Sequence, residues 1–592
     1  MKSILNKQWN IKKFDERLSR SIKQSHDISE YLSNLLSIRG IKPDQVSEFF
    51  NPKIKNILPD PFLLQDMNKA VDHVIDAIEN NKKITIFADY DVDGATSASI
   101  LKRFFKNIGY EIDIYIPDRI LEGYGPNTEA LLNLKNSGVD LVITVDCGTV
   151  SFKPLEEAKK AGLEIIVIDH HLGVIEKPEA IAIINPNLLE EKFEHKNLCA
   201  AGVVFLFVVA INKKLREKNF YNNKKEPNLI ELLDLVALGT VCDVMPLTGL
   251  NRAFVTLGLK ILKQRKNLGL RQISDLVAFN SEPNVYSLGF IFGPRINAGG
   301  RVGKSNLGAK ILSSEDEFEV KEIATQLEMF NQQRKDIEAQ VLDEAINQLE
   351  NNSNNFSIKD PVIFAQSNNW HQGVIGIVAS RLKDLYNKPV AVISIDDKNN
   401  KGKASCRSIN GVDFGAEILK ARLQGLLIEG GGHAMAGGFS VKADKIAELH
   451  NFFCNNLRNK VDEILSNNIN EFEIELDLAQ LNIDLLKEFS KLEPFGVGNA
   501  KPKFCLRNVQ KITANLVGKN HEHINCIFST KTLLGFNQQI QGTAFRAKET
   551  KIAEILLGSN INKKMHLIGT ININNWMGSE KMQIIIDDII LA

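Results

Sequence analysis

The sequence predicts an α/β multidomain protein containing a doubly wound parallel sheet, and three observations predict it. Strongly apolar, β-like segments run straight into carboxylates or imidazoles: 84–88 into Asp89, Asp91 and Asp93, 141–145 into Asp146, and 165–168 into Asp169, His170 and His171. Helical stretches separate them, and apolar strands punctuated by helices imply a parallel sheet. Ligands of such a sheet sit outside the carboxyl ends of its strands, so the three motifs meet at one rim. That much unpaired negative charge in one cleft is costly, and a bound divalent metal, most simply a pair, resolves it.

At 592 residues the chain is too long for a single core. Apolar residues make up 44% and charged residues 24%, which excludes a disordered or collagen-like chain. Lys+Arg and Asp+Glu balance at 72 each, so only a local basic face could recruit a polyanion. The seven cysteines stand singly, without CxxC spacing, against a zinc finger or a disulfide framework. The N-terminus has no apolar signal core. The longest apolar run, 200–211, is too short to span a bilayer and reads as a buried helix. We expect a cytoplasmic protein with no membrane segment.

Each region has its own reason. Residues 1–75 are mostly polar with helical patches and are expected to be an N-terminal extension packed on the next segment of the chain. Residues 76–250 alternate strand and helix, and their last landmark, 237–247, delivers Asp243 after another apolar stretch, as at a strand end. Residues 251–355 form a helical region around a Gly/Arg-rich turn, 293–301. A long connecting helix runs from about 315 to 350, with Ile323, Leu327, Phe330, Ile337 and Val341 on one stripe interrupted at Arg334. Residues 351–355 read as a linker. A smaller α/β domain spans 356–460, with strands near 362–364 and 390–394. From 467 to 592 short β segments alternate with turns, as in a small β-barrel.

In an extended segment Asp89 and Asp91 point to the same face, as two metal ligands should. Asp93-Gly94 alone reads equally as a helix cap. An EF-hand fails because no acid closes the loop and a strand precedes it. Adjacent imidazoles point in different directions, so one of His170 and His171 is a close ligand and the other holds substrate or donates a proton. Asp89, Asp91, Asp146, His170 and Asp243 suffice for two cations. Oxygen and nitrogen donors without thiolate suit Mn²⁺ or Mg²⁺. Arg295, Asn297 and Arg301 combine glycine flexibility with guanidinium donors, as phosphate gripping requires, although a structural loop with surface arginines is the default. The same holds for Ser405 and Arg407. Glycine-rich 430–438 lets backbone N–H groups approach an anion beside His433, and 370–376 opens a helix after a strand.

These motifs, in order, resemble those of the DHH phosphoesterases, with 430–438 similar to the accompanying DHHA1 domain. Within that superfamily, 293–301, 370–379, 402–409 and 494–499 resemble the RecJ single-strand-specific exonucleases, over roughly residues 40–590. The resemblance implies a DHH catalytic domain, a DHHA1 domain and a C-terminal OB-like barrel. It also implies a metal-dependent 5′-to-3′ exonuclease that releases 5′-mononucleotides from single-stranded DNA in recombination and repair. Implied cofactors are two divalent cations, Mn²⁺ or Mg²⁺, held by Asp89, Asp91, Asp146, His170 and Asp243. Asp93 belongs to the catalytic set, and His171 stands near the scissile phosphate. Arg119, Ser405 and Arg407 match positions that recognise a 5′-phosphate, and Arg295, Asn297, Arg301 and His433 match phosphate contacts. Cys406 stands where glycine is usual and could narrow the 5′-phosphate pocket; Phe87 stands where many relatives have histidine, so no ligand is expected there. Implied partners are single-stranded DNA, a single-strand-binding protein and a RecQ-type helicase, with the chain acting as a monomer. Phe504 and Trp576 are expected in the barrel core. Two rivals remain: a DHH phosphodiesterase of short oligonucleotides or cyclic dinucleotides, against which 470–590 argues, and a non-catalytic DNA-binding scaffold, which would require lost ligands.

Overall fold

The computed structural model describes residues 1–119, 121–351, 356–467, 469–531, 537–558, 563–576 and 579–592. Two compact units emerge: Pro59–Met245 with Leu257–Ser466, and Met1–Leu58 with Pro246–Thr256 and Asn467–Ala592.

The first unit contains the predicted parallel sheet. Its strands lie in the order Asp113–Tyr115, Ile84–Ala88, Leu141–Val145, Glu164–Ile168 and Ala182–Ile184, all parallel. Strands Ile84–Ala88 and Leu141–Val145 are buried throughout, as the unbroken apolar runs require when both faces are covered. Phe87, Val142 and Val167 pack with Leu131 and Leu155 of helices Thr128–Asn136 and Phe152–Lys160. Helices Val92–Asn107 and Ala200–Glu217 cover the other side. The order in which strands are added reverses between the Ile84 and Leu141 strands, since Asp113–Tyr115 lies on one side of Ile84–Ala88 and Leu141–Val145 on the other, and such a switch point is where these sheets hold ligands. The apolar run from Ala200 is a buried helix, as expected. No helix among the described residues is long and apolar enough to cross a membrane.

The long helix runs Glu317–Glu350, capped by the Asp316 carboxylate, which accepts the N–H groups of Phe318 and Glu319. Val320, Ile323 and Leu327 are buried toward one end. Val341, Ala345 and Leu349 join the core of the second α/β domain at the other. That domain has a mixed sheet in the order Glu429–His433, Ala436–Lys442, Lys401–Arg407, Val390–Asp396 and Ile363–Ser367.

In the second unit, strands Phe504–Val517, His523–Lys531, Asn537–Ala544, Ser579–Leu591 and Lys564–Trp576 close into a barrel when the first pairs with the last. Phe504 is core, 2% exposed; the side chain of Trp576 lies outside the described ones. Residues 1–58 depart from expectation. They pack on this barrel: Ile22, Leu32, Leu35, Leu36 and Val46 share its apolar cluster. Strand Gln8–Ile11 pairs in parallel with Ile469–Phe472. The reason is a short apolar set that a distant segment completes. Arg252, 3% exposed, ties the unit together by donating to the carbonyls of Phe49, Leu492 and Glu493 and stacking on Phe49 with its guanidinium carbon 3.8 Å from the ring centre.

Candidate metal centre and anion cleft

Sheet register builds the rim. Ala88 pairs with Val145, and Val145 with Ile168, so the next residues, Asp89, Asp146 and Asp169, stand side by side. Their N–H groups continue the ladder, donating to the carbonyls of Val145, Ile168 and Ile184. Neighbouring strands lie about 5 Å apart, the span across which carboxylates can share a cation. Asp146 takes φ +61°, the left-handed region that a residue with a Cβ enters only occasionally, aspartate more readily than most. Gly94 permits the first motif to turn into its helix: a Cβ there would lie 2.3 Å from the Asp89 carbonyl oxygen.

The predicted ligands converge. Donor atoms of Asp89, Asp91 and Asp146 form one group, those of Asp146, His170 and His171 a second, and those of Asp93, His170 and Asp243 a third, each within 4.8 Å. His170 Nε2 lies 3.2 Å from Asp146 Oδ1 and 3.5 Å from Asp243 Oδ2. Asp243 leaves a helix, Leu233–Cys242, not a strand as its apolar lead-in suggested. Asp91 caps helix Val92–Asn107 by accepting the N–H groups of Asp93 and Gly94 through Oδ1. Asp93 is buried, and its carboxylate accepts the N–H groups of Ala200 and Ala201 at 2.6 and 2.9 Å. It therefore pins the start of helix Ala200–Glu217 beneath the site.

Electrostatics tests whether cations fit. Two like charges about 4 Å apart repel by about 4 kcal/mol at an effective dielectric of about 20, so these acids cannot all be ionised alone. Burial, reinforced by Asp91, pushes Asp89 well above the ordinary carboxylate range and Asp93 up to about 7. Burial and the neighbouring acids also drive Asp146 well up and Asp243 to about 9. Asp89 Oδ1 and Asp243 Oδ2 are buried without any hydrogen bond. Orphaned oxygens within a set of oxygen and nitrogen donors fit divalent cations.

Asp169, absent from the expected site residues, orders the imidazoles. Its Oδ1 accepts the His170 and His171 N–H groups and lies 2.7 Å from His171 Nδ1. Burial opposes the His171 cation, but the Asp169 bond and charge outweigh it and raise His171 to about 9. Burial lowers His170 to about 4, with His171 adding to the effect, leaving it neutral as a metal ligand must be. Asn185 and Asn187 also escaped the sequence reading. They donate to the carbonyls of His171 and His170 and fix the motif's backbone. The signal was available: Asn185 comes directly after the apolar strand Ala182–Ile184, as Asp89 comes after its own.

Beside the acids lies a cluster of cations. Burial and the charges of Arg119, Arg334 and Arg407 lower Arg301 to about 10; burial and Arg119 likewise lower Arg407. Among the described residues, Arg119, Arg301 and Arg407 form no ion pair. The Arg119 guanidinium carbon stands 4.9 Å from the centre of the Tyr90 ring, and Arg301 donates to the Gly373 carbonyl. A Cβ at Gly376 would lie 2.9 Å from Ser405 Oγ and 3.3 Å from Arg407 Nη2, so helix Ile375–Tyr386 begins against both. His433 is exposed and near enough for its charge to lower His170. Asn297 Oδ1 is buried without a partner. Arg295 stands apart, paired with Glu328 of the long helix. Cys406 does not narrow the cleft: alternation along Lys401–Arg407 turns its side chain into the core, opposite Ser405 and Arg407. Phe87 is fully buried and offers no ligand.

Comparison with known proteins agrees with this layout. Residues 83–240 match the DHH family N-terminal domain, 359–459 the DHHA1 domain and 472–588 the RecJ OB domain. The chain is 31% identical over 590 residues to the single-stranded-DNA-specific exonuclease RecJ of Bacillus subtilis, covering 98% of this chain and 70% of that protein. It is 31% identical to the Escherichia coli exonuclease of the same name, covering 95% and 96%. The structure of RecJ with Mn²⁺ from Thermus thermophilus superposes with a TM-score of 0.78 at 24% identity, over 98% of this chain and 79% of that one. An exonuclease RecJ bound to manganese is 29% identical with a TM-score of 0.56, over 68% and 96%. Rim, cleft and relatives agree, and the chain belongs to the RecJ family.

Proposed function

We propose that the chain is an exonuclease that hydrolyses single-stranded DNA from a 5′-phosphorylated end, releasing 5′-mononucleotides. The observation that carries this reading is the adjacency, in one unit, of orphaned carboxylate oxygens and guanidinium groups that form no ion pair among the described residues. Asp89, Asp91, Asp146, His170 and Asp243 would hold two divalent cations, Mn²⁺ or Mg²⁺. Asp146, which ends the middle of the three strands and, like His170, belongs to two of the three donor groups, would be the carboxylate placed to serve both. When bound, the cations supply a nucleophilic water and stabilise charge on the attacking and leaving oxygens of an in-line displacement.

The chain's own residues do the rest. Arg119, Ser405 and Arg407 seat the terminal phosphate, so the next phosphodiester falls at the metal ligands. Asn297, Arg301 and His433 hold the phosphates beyond it. His171, kept protonated by Asp169, donates to the scissile phosphate or to the departing oxygen. Arg295 reaches the backbone only by exchanging Glu328 for a phosphate. The barrel guides longer strands. We further infer a cytoplasmic monomer acting in recombination and repair beside a single-strand-binding protein and a RecQ-type helicase.

The test is digestion of a 5′-labelled, 5′-phosphorylated single strand with and without Mn²⁺. Release of the label as a mononucleotide from the outset, only with metal, supports the reading. Cleavage confined to dinucleotides points to a small-substrate phosphodiesterase, and binding without cleavage to a scaffold.

A further inference from the structure

Tyr286 and Phe290 stack on one another, ring centroids 4.8 Å apart and planes 19° from parallel. Both face solvent, 65% and 67% exposed. Among the described residues between 277 and 302 they are the only large apolar side chains so exposed. Tyr286 caps, and Phe290 belongs to, a π-helical turn, Ser287–Phe292, a backbone form that gathers at functional sites.

The opposite side of this turn is built to hold still. Asn284 and Ser287 exchange hydrogen bonds: the Asn284 N–H donates to Ser287 Oγ, and the Ser287 N–H to Asn284 Oδ1. Leu288 and Phe292 are buried. The Cys242 thiol donates to the Leu288 carbonyl, and a Cβ on Gly293 would lie 2.5 Å from that sulfur. Cys242 immediately precedes Asp243. Beyond Gly293 the chain runs through the short helices Gly293–Ile296 and Gly299–Val302, which bring in Asn297 and Arg301. The ring pair is thus carried on a rigid segment joining the Asp243 helix to the cation cluster.

We propose that Tyr286 and Phe290 form a stacking platform for bases of the single strand beyond the nucleotide being removed. The assignment rests on the exonuclease reading for its occupant. Every base offers a π-face whatever its identity, so a stacked ring pair holds a strand without reading its sequence. An enzyme that must advance along any sequence needs that tolerance. Two rings already stacked lose little side-chain freedom when a base extends the stack. A protein partner would call for a broader apolar patch than two isolated rings.

The experiment uses the full chain and a 5′-phosphorylated strand of roughly 12 thymidines carrying one abasic site moved along its length. Binding is read by fluorescence anisotropy with Ca²⁺ in place of Mn²⁺. One or two adjacent positions should weaken binding to the unsubstituted protein about tenfold when the base is removed. Y286A/F290A should bind the intact strand about tenfold more weakly and lose that position dependence, while Y286F/F290W should keep it. A flat abasic profile, or one that survives in Y286A/F290A, overturns the platform. Digestion of the same intact strand with Mn²⁺ is scored separately. A strand that is bound with the abasic signature but never cut sinks the exonuclease reading and leaves the platform standing.

Discussion

The Oδ1 atom of Asp169 lies 2.7 Å from Nδ1 of His171 while also accepting the backbone N–H groups of both histidines. One carboxylate thus fixes the imidazole's orientation and holds its positive charge. Asp169→Asn keeps the size and loses the charge. Activity should fall by roughly 10²–10⁴-fold, the usual worth of a positioned proton donor, while Mn²⁺ still binds, because Asp169 belongs to none of the three donor groups. Turnover and calorimetric Mn²⁺ titration check this together. Loss of metal binding would show that Asp169 serves the cations and not His171.

Asp146→Ala should abolish cleavage more completely than Asp91→Ala, since Asp146 belongs to two donor groups and Asp91 to one. Strand binding should persist, because Arg119, Arg301 and Arg407 remain. The comparison is Mn²⁺ stoichiometry and turnover for Asp146→Ala beside Asp91→Ala. Unchanged turnover in the Asp146 variant would refute the bridging role.

Much of this site was legible in the sequence because the rim arises from register. Three apolar runs of similar length, each ending in Asp, become adjacent once the strands are parallel, and no distant contact is needed to see it. Asp243 was legible as a site residue but not as a helix end. Every residue from Leu233 to Thr240 is buried, so no helical stripe marks the segment. Cys406 misled for the opposite reason: position relative to a motif says nothing about which face of the strand a side chain takes. Residues 1–58 were illegible in their packing, since the cluster that completes them lies more than 400 positions away.

Cys406→Gly tests the facing. With the thiol side chain in the core, the change opens a void and loosens a strand. It should cost about 1–3 kcal/mol of stability without altering the preference for 5′-phosphoryl over 5′-hydroxyl ends by more than about twofold. Urea unfolding and the KM ratio for the two ends provide the readings. A markedly improved 5′-phosphate KM would mean that the side chain does border the pocket.

Removing residues from 467 onward should expose apolar surface elsewhere in the same unit. Ile22, Leu32, Leu35, Leu36 and Val46 would lose the barrel residues that bury them, leaving an apolar patch on the remaining N-terminal segment. The truncated chain should bind a hydrophobic dye and aggregate, whereas removal of 1–58 as well should relieve much of this. A truncated chain as soluble as the full one would contradict the shared core.

Arg252 makes the same point with one side chain. Its guanidinium satisfies carbonyls from two segments, Phe49 on one side and Leu492 and Glu493 on the other. Burial lowers its pKa only to about 10, so the group stays protonated at neutral pH and donates throughout. Arg252→Met retains much of the apolar stem but takes the donor from the Phe49 and Glu493 carbonyls, while Asn499 still donates to Leu492, at about 1–3 kcal/mol for each that water cannot reach. Arg252→Lys supplies the charge without the planar fork and should recover only part. The barrel unit should unfold at lower urea concentration in the order Met before Lys before Arg, monitored by Trp9 fluorescence, since Trp9 is packed in that unit against Asp588. Equal midpoints for all three would mean that the carbonyls find other donors and that Arg252 is not what joins the segments.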